Sequence, residues 1–427
     1  MKIAFYTLGC KVNQYETQAM ERLLVQMGHT IASFEETCDA YIINTCTVTA
    51  VADKKNRNLI RRCRRSNPDA IIGVCGCYSQ IDPAAVRELG VDVISGSSDR
   101  AAFLQMVLEA LRTREKSESV DQALKRRDFE RLPSGGLAAR TRAMLKVQDG
   151  CSNFCSYCII PYARGPVRSL PQAEAIAQAR ALCEQGYREI VVTGIEIASW
   201  GHDLPGKPPF TVLLEALCST IPVRIRLGSL EPRVVDREFC EHLAHYSQLC
   251  PHFHLSLQSG SDTVLKRMNR KYDSARYLES VRLLREYFPG CAITTDLIVG
   301  FPGETEEELE ESLSFVETCA LSQVHVFPYS RRPGTPADRM PNQISRQEKE
   351  ARSALAIRRT DALSRAYRES LIGTVHTVLF EQPEGDFFTG HAPNYVKVYA
   401  EGTQLHNELR SVRLEALTED GMRGTIV

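Results

Sequence analysis

Residues 150–161 read GCSNFCSYCIIP, and Cys151, Cys155 and Cys158 stand in them as C-x3-C-x2-C. The loop follows AMLKVQD (143–149), an apolar run that reads as a β-strand. Three thiols this close in sequence cannot fill three separate core positions. The Gly, Ser and Asn residues between them let a loop wrap around an inorganic cluster. Four thiolates would close a [4Fe–4S] site, whereas three leave one iron open, much as catalytic zinc sites keep a position free. The rival is a structural zinc site, which would need a fourth ligand and usually a tighter or wider knuckle.

Beyond this loop the chain keeps a β/α rhythm. EIVVTG (189–194), VRIRLGS (223–229), FHLSLQS (253–259), AITTDLIVG (292–300) and VHVFPYS (324–330) read as strands. Helical stretches such as PQAEAIAQARALCEQG and EEELEESLSFVETC separate them. Six such units predict an incomplete parallel (β/α)6 barrel whose active site lies at the C-terminal strand ends.

A second α/β rhythm precedes it. KIAFYTL, DAYIINTC, AIIGVCGC and VDVISGS alternate with helical patterns, as in a doubly wound parallel sheet. Cys10, Cys46 and Cys77 fall at predicted strand ends, the edge on which such sheets bind ligands. They either converge there or are three unrelated buried thiols. Cys75, two residues before Cys77, could face the same side of its strand. The other cysteines read as small buried hydrophobes. Residues 113–140 are strongly charged, end in a Pro-Ser-Gly-Gly turn, and read as a linker. From residue 374 on, short alternating strands with turn signals and no helix predict a small antiparallel barrel.

Composition excludes several classes. The 427 residues are 43% hydrophobic and 25% charged, as in an ordinary globular protein of more than one domain. No apolar run nears the roughly 20 residues of a membrane span, and the N-terminus lacks a secretory pattern, so a cytoplasmic location is expected. Fifteen cysteines in a reducing compartment point to metal binding or burial rather than disulfides.

The cysteine loop and the order of motifs after it resemble the radical S-adenosylmethionine (SAM) superfamily. The resemblance implies that the open iron binds SAM and that one electron cleaves its C–S bond to a 5′-deoxyadenosyl radical. It places Tyr157 as the aromatic residue between cysteines, and Gly194 and Glu196 of VVTGIE near the methionyl amino group. It further places Ile298 and Gly300 of DLIVGFPGE near adenine, with Glu231 and Gln258 as polar SAM contacts. TLGCKVNQYE, INTCTVT, GCYSQ and CSNFCSYCIIPYARGPVRS together are similar to the methylthiotransferase family. That likeness implies a second [4Fe–4S] cluster on Cys10, Cys46 and Cys77, leaving Cys75 as core. It also implies domains at 1–112, 141–369 and 370–427, the last an RNA-binding TRAM barrel. GCKVNQYE, ARGPVRS and GHAPNYVKV most resemble the branch acting on N6-threonylcarbamoyladenosine at tRNA position 37. The isopentenyladenosine and ribosomal-protein S12 branches are the alternatives, and a non-catalytic iron–sulfur RNA-binding protein is the third reading. The expected partners are the tRNA anticodon loop and a low-potential donor such as flavodoxin or ferredoxin, with no membrane and a monomeric chain.

Three further segments bear on RNA. Residues 53–65 (DKKNRNLIRRCRR) hold seven Lys or Arg against one Asp, and read either as a phosphate-tracking helix or as a solvated face. KRMNRK (266–271) reads the same way, and Tyr329, Arg331 and Arg332 are candidates for the site mouth. The last barrel carries four Lys/Arg against eight Asp/Glu, so only a local patch, around His391, Asn394, Tyr395 and Lys397, would suit RNA.

Overall fold

In a computed structural model, which describes residues 1–136 and 141–427, the chain forms three packed parts. The first is a six-stranded, all-parallel sheet of β1 (Lys2–Thr7), β2 (Thr30–Ala32), β3 (Ala40–Thr45), β4 (Ile71–Gly76), β5 (Val93–Ser95) and β6 (Ser117–Ser119). Its order is β2-β1-β3-β4-β5-β6. β3 and β4 are buried at every residue, because helices cover both faces and a run such as AYIINT has no solvent side to serve. On one face, α1 (Lys11–Gln26) sends Met20 and Leu24 onto Ile3 and Ile42, beside Phe103 and Val107 of α5 (Arg100–Thr113). On the other, α2 (Ala50–Ser66), α3 (Cys77–Ile81) and α4 (Pro83–Arg87) pack Ile60, Tyr78 and Val86 onto Ile43, Ile72 and Val74.

The stretch read as a linker is ordered by its few apolar residues. It contributes β6 to the sheet edge, buries Phe129 in the core of the second part, and packs Leu132 against Tyr15 and Met144. Its last four positions, 137–140, lie outside the described residues.

The second part is an arc of six parallel strands: β7 (Arg142–Lys146), β10 (Glu189–Thr193), β11 (Arg224–Leu227) continued as β12 (Ser229–Leu230), β13 (His252–Leu255), β14 (Ala292–Val299) and β15 (Gln323–Pro328). A short antiparallel pair, β8 (Gln148–Asp149) and β9 (Arg168–Ser169), brackets the cysteine loop and α6 (Ile160–Arg164). Helices α7 (Gln172–Glu184), α8 (Phe210–Thr220), α9 (Arg237–Leu243), α10 (Asp262–Arg267), α11 (Ser274–Tyr287) and α12 (Glu306–Cys319) belong to the β/α units. Helix α13 (Arg346–Glu369) leads into a closed barrel of β16 (Val375–Glu384), β17 (Phe387–His391), β18 (Lys397–Ala400), β19 (Leu409–Leu417) and β20 (Met422–Ile426), in the order β16-β17-β18-β20-β19.

The arc does not close on itself: among the described residues β7 and β15 are not paired. The N-terminal part holds both free edges. At β7, Lys146 Nζ lies 3.1 Å from Glu16 of α1. After β15, Arg332 lies 2.6 Å from Asp53 and donates to Thr47 at 2.6 Å. The small barrel sits at the opposite, N-terminal strand ends, where Arg226 donates to the Pro393 carbonyl at 2.8 Å and Arg142 pairs with Glu381 at 3.1 Å.

Glu16 therefore anchors the first part to the second. Replacing it with Gln would leave Arg100, Lys146 and Arg164 buried with one balancing carboxylate fewer, and should cost about 3–5 kcal/mol. A lowered urea midpoint measures this, and an unchanged midpoint would show that the junction does not depend on Glu16.

Candidate active site

The loop of Cys151, Cys155 and Cys158 is built by backbone bonds to its surroundings. Cys151 N donates to Gly165 O at 3.0 Å, and Cys158 N to Cys155 O at 2.9 Å. Ser156 N donates to Met268 O at 2.9 Å, and Asn269 Nδ2 reaches Phe154 O at 2.9 Å, so the end of α10 clamps the loop. Burial pushes the Cys151 and Cys158 thiols up to about 12, Cys155 adding to the rise at Cys158. Buried thiols with such values stay protonated alone, and iron charge would be needed to hold them as thiolates. One cation already stands there: Arg270 Nη1 lies 3.2 Å from Cys155 Sγ.

Gln148 ties this loop to the end of β10. Its side-chain oxygen accepts from Ile195 N at 3.0 Å and Glu196 N at 2.9 Å, while its amide donates to Gly150 O at 2.7 Å. Gly194 is needed for this approach, since a β-carbon there would come within 2.8 Å of Gln148 Oε1. Glu196 and Glu231 then line a cavity of about 290 Å³ beside Ser152, Asn153 and Arg233. Burial, and secondly the Glu231 charge, hold the Glu196 carboxyl up at about 7. Tyr157 and Ile298 share one apolar cluster with Met268 and Phe301, the Tyr157 and Phe301 rings meeting edge-on at 6.5 Å. Gln258 joins that strand end through its backbone, accepting from Ile298 N at 2.9 Å. At Gly300 a β-carbon would meet the Lys349 side chain of α13 at 2.3 Å.

Cys10 follows β1, Cys46 follows β3, and Cys77 opens α3 after β4. These strands adjoin in the sheet, and a β-carbon on Gly9 would lie 3.2 Å from Cys46 Sγ. Burial pushes the Cys46 thiol up to about 12, and the Cys77 and Cys10 thiols both add to that rise. Cys75 points away, into the apolar layer of Val93 and Phe103 beneath α5. The decisive contact comes from the other domain. Arg164, six residues after Cys158, is fully buried, with Nε 3.3 Å from Cys77 Sγ. Its other nitrogens reach Asn13 Oδ1 at 2.6 Å and Glu16 Oε1 at 2.5 Å. Among the described residues no three His, Cys, Asp or Glu side chains gather around a single ion position. Two separate thiol triads, each with a guanidinium on one sulfur, suit the bulkier iron–sulfur cluster in donor chemistry.

Residues 145–316 match the radical SAM superfamily, and residues 2–96 match a family described as uncharacterized protein family UPF0004. The threonylcarbamoyladenosine tRNA methylthiotransferase MtaB of Bacillus subtilis (strain 168) is 42% identical over 94% of this chain and 91% of its own length. The Aquifex aeolicus protein of the same name is 37% identical over 82% of this chain and 86% of its own. The chain belongs to the radical SAM methylthiotransferases. A tRNA-2-methylthio-N(6)-dimethylallyladenosine synthase of Symbiobacterium thermophilum is 34% identical over 89% of this chain and 84% of its own. In fold, the chain is similar to the radical SAM methyltransferase TsrM from Kitasatospora setae, at TM-score 0.56 and 17% identity over 79% of this chain and 76% of that one. Members of this family work with SAM and two [4Fe–4S] clusters, and so does this chain.

The surfaces read for RNA divide differently from the sequence expectation. On α2, Lys54, Lys55, Arg61 and Arg65 are exposed, Arg62 pairs with Glu35 at the surface, and Asn56 turns inward to donate to Cys46 O at 2.6 Å. Arg332 does not line a mouth, because Asp53 and Thr47 hold it as a buried strut; Tyr329 is buried against Phe301, and Arg331 pairs with Asp338. In KRMNRK, Arg267 is paired with Glu308 at 2.6 Å and Arg270 meets Cys155 Sγ, while Lys266 and Lys271 are exposed. In the last barrel, His391 pairs with Glu381, Asn394 donates to Tyr367, Tyr395 lies under Arg226, and Lys397 is held by Glu384 and Asp420. Sequence reasoning missed Glu16, Gln148, Arg164 and Arg270 as site builders. Their signal is adjacency to the cysteine motifs, but charge alone does not announce burial.

Gly76 sets the direction of Cys77, with φ of +106° and room for no β-carbon: one would lie 2.4 Å from Thr45 O. Gly76→Ala should displace Cys77 and lower iron content to about half that of the parent after reconstitution. Full iron in a folded variant would separate Cys77 from cluster binding.

Proposed function

We propose that this chain inserts a methylthio group at C2 of N6-threonylcarbamoyladenosine at position 37 of tRNA. Cys151, Cys155 and Cys158 hold the SAM-binding cluster, and Cys10, Cys46 and Cys77 hold the second. The carrying observation is the pair of thiol triads, with Arg164 from the segment after one cysteine loop reaching Cys77 of the other, in a chain 42% identical to a protein named for that reaction. When bound, the clusters and SAM supply the electron transfer, the radical, the sulfur and the methyl group.

The chain's own residues position and enclose. Glu196 and Glu231 face the side of the Cys151 loop where a SAM ammonium group would find counter-charge, and Gln148 fixes the Glu196 backbone. Tyr157 and Ile298 offer an apolar wall to adenine, with Gln258 at the same strand end, while Gly300 gives α13 room to pack. The N-terminal part covers the open side of the arc and keeps water from a reactive centre. The exposed cations of α2 track tRNA phosphates. Residues 1–112, 141–369 and 370–427 act as three functional domains, the last a TRAM barrel. The chain acts as a cytoplasmic monomer and takes its electron from a low-potential donor such as flavodoxin or ferredoxin; no helix among the described residues is long and apolar enough to cross a membrane.

Nucleosides from a deletion strain, analysed by mass spectrometry, test the reading. The methylthio derivative of threonylcarbamoyladenosine should vanish and return with the intact gene. Its persistence, with loss of methylthio-isopentenyladenosine instead, would move the chain to the other branch. A Cys151/Cys155/Cys158→Ala chain should retain about half the iron and make no 5′-deoxyadenosine from SAM.

A further inference from the structure

A cavity of about 480 Å³ opens where all three parts meet. Lys11 at the start of α1, Arg142 and Met144 of β7, Arg226 of β11, and Glu381 and Tyr395 of the small barrel line it. Its chemistry is cationic and aromatic. Arg226 is committed, with both Glu189 oxygens at 2.7 and 3.1 Å and its guanidinium 4.7 Å from the Tyr395 ring centre. Arg142 lies 5.3 Å from the same ring centre and has one carboxylate, Glu381, which it shares with His391 at 2.7 Å. Arg224 also pairs with Glu189, at 2.7 Å. Lys11 is different: among the described residues its ammonium makes no hydrogen bond or ion pair. Four cations (Lys11, Arg142, Arg224, Arg226) thus stand against two carboxylates (Glu189, Glu381).

Such a cavity asks for an anion. An unpaired ammonium and a half-paired guanidinium beside a flat aromatic ring suit a carboxylate on a planar, hydrogen-bonding stem. An apolar alkenyl group would leave Lys11 unanswered and Arg142 with Glu381 alone, and sites built around charged groups reject analogues lacking the partner strongly. Lys11 is also the residue after Cys10, so the helix start that carries the first thiol of the N-terminal triad carries this ammonium too.

We propose that Lys11 and Arg142 bind the carboxylate of the amino-acid side chain on nucleoside N6, making this cavity the pocket that selects threonylcarbamoyl over isopentenyl adenosine. This role rests on the functional reading above and deepens it.

The test uses reconstituted holoenzyme and two anticodon stem-loops, one carrying threonylcarbamoyladenosine and one carrying its carboxamide. The parent should bind the carboxylate form about 30-fold or more tighter. Lys11→Gln should shrink that preference to within about threefold, Lys11→Arg should keep most of it, and Arg142→Gln should weaken it in part. Iron content and melting temperature check folding, and Arg142→Gln carries the test if Lys11→Gln loses iron. An unchanged preference in the glutamine variants, or a parent that binds and converts both stem-loops equally, would overturn the pocket while leaving the threonylcarbamoyl reading intact. A parent that thiomethylates neither stem-loop would overturn both.

Discussion

The molecule turns on one buried ionic junction. Glu16 and Asp149 face Arg100, Lys146, Arg164 and Arg168 with almost no solvent between them. Burial alone would raise both carboxyls, but Arg100, Arg164 and Lys146 hold Glu16, and Lys146, Arg164 and Arg168 hold Asp149, well below the usual carboxylate range. Taking that many charges out of water is favourable only if every member finds its partner. Apolar packing would have tolerated sliding of one domain over the other. An ionic junction with fixed hydrogen-bond directions permits one register.

That register matters because Arg164 belongs to both sites. Its chain position is set by the loop that continues from Cys158, while its guanidinium ends on Cys77. A shift between the domains would withdraw charge from one triad and strain the loop of the other. The arrangement at Cys155 is parallel but local, with Arg270 held by Tyr272 and Ser256 before it meets the sulfur. Each triad therefore has a guanidinium on one sulfur, and both cations are positioned by partners other than the cysteine. A reaction that joins chemistry at two centres needs this fixed spacing more than it needs an acid or base.

The architecture is largely legible in the sequence because its signals are periodic and local. Runs such as IIGVCG and EIVVT are apolar nearly throughout, as strands covered on both faces must be, and each cysteine of the N-terminal triad follows such a run. The linker reading misses β6 and Phe129 because charge density hides a few apolar anchors among many Lys, Arg and Glu. Buried charges are illegible for a deeper reason. Glu16 and Arg164 lie 148 positions apart, so neither sequence neighbourhood contains what makes the other's burial possible. Arg332 reads as a mouth residue for the same reason: Asp53 and Thr47, on another domain, turn it inward.

An acidic last barrel is anomalous for a protein that handles RNA, and its placement resolves this. Glu381 is drawn inward by Arg142 and His391, and the turn from Ala392 to Tyr395 caps Arg226 with carbonyls and a ring. On this face the barrel is a counter-charged floor to the basic strand ends of the β/α arc. Removing Glu381 to make the barrel attractive to phosphate would strip Arg142 of its partner. The exposed cations of α2 lie on the N-terminal domain instead, where Lys54, Lys55, Arg61 and Arg65 face solvent and, among the described residues, form no ion pair with a buried acid. Counter-charge to the β/α arc and the exposed cations of α2 thus lie on different domains.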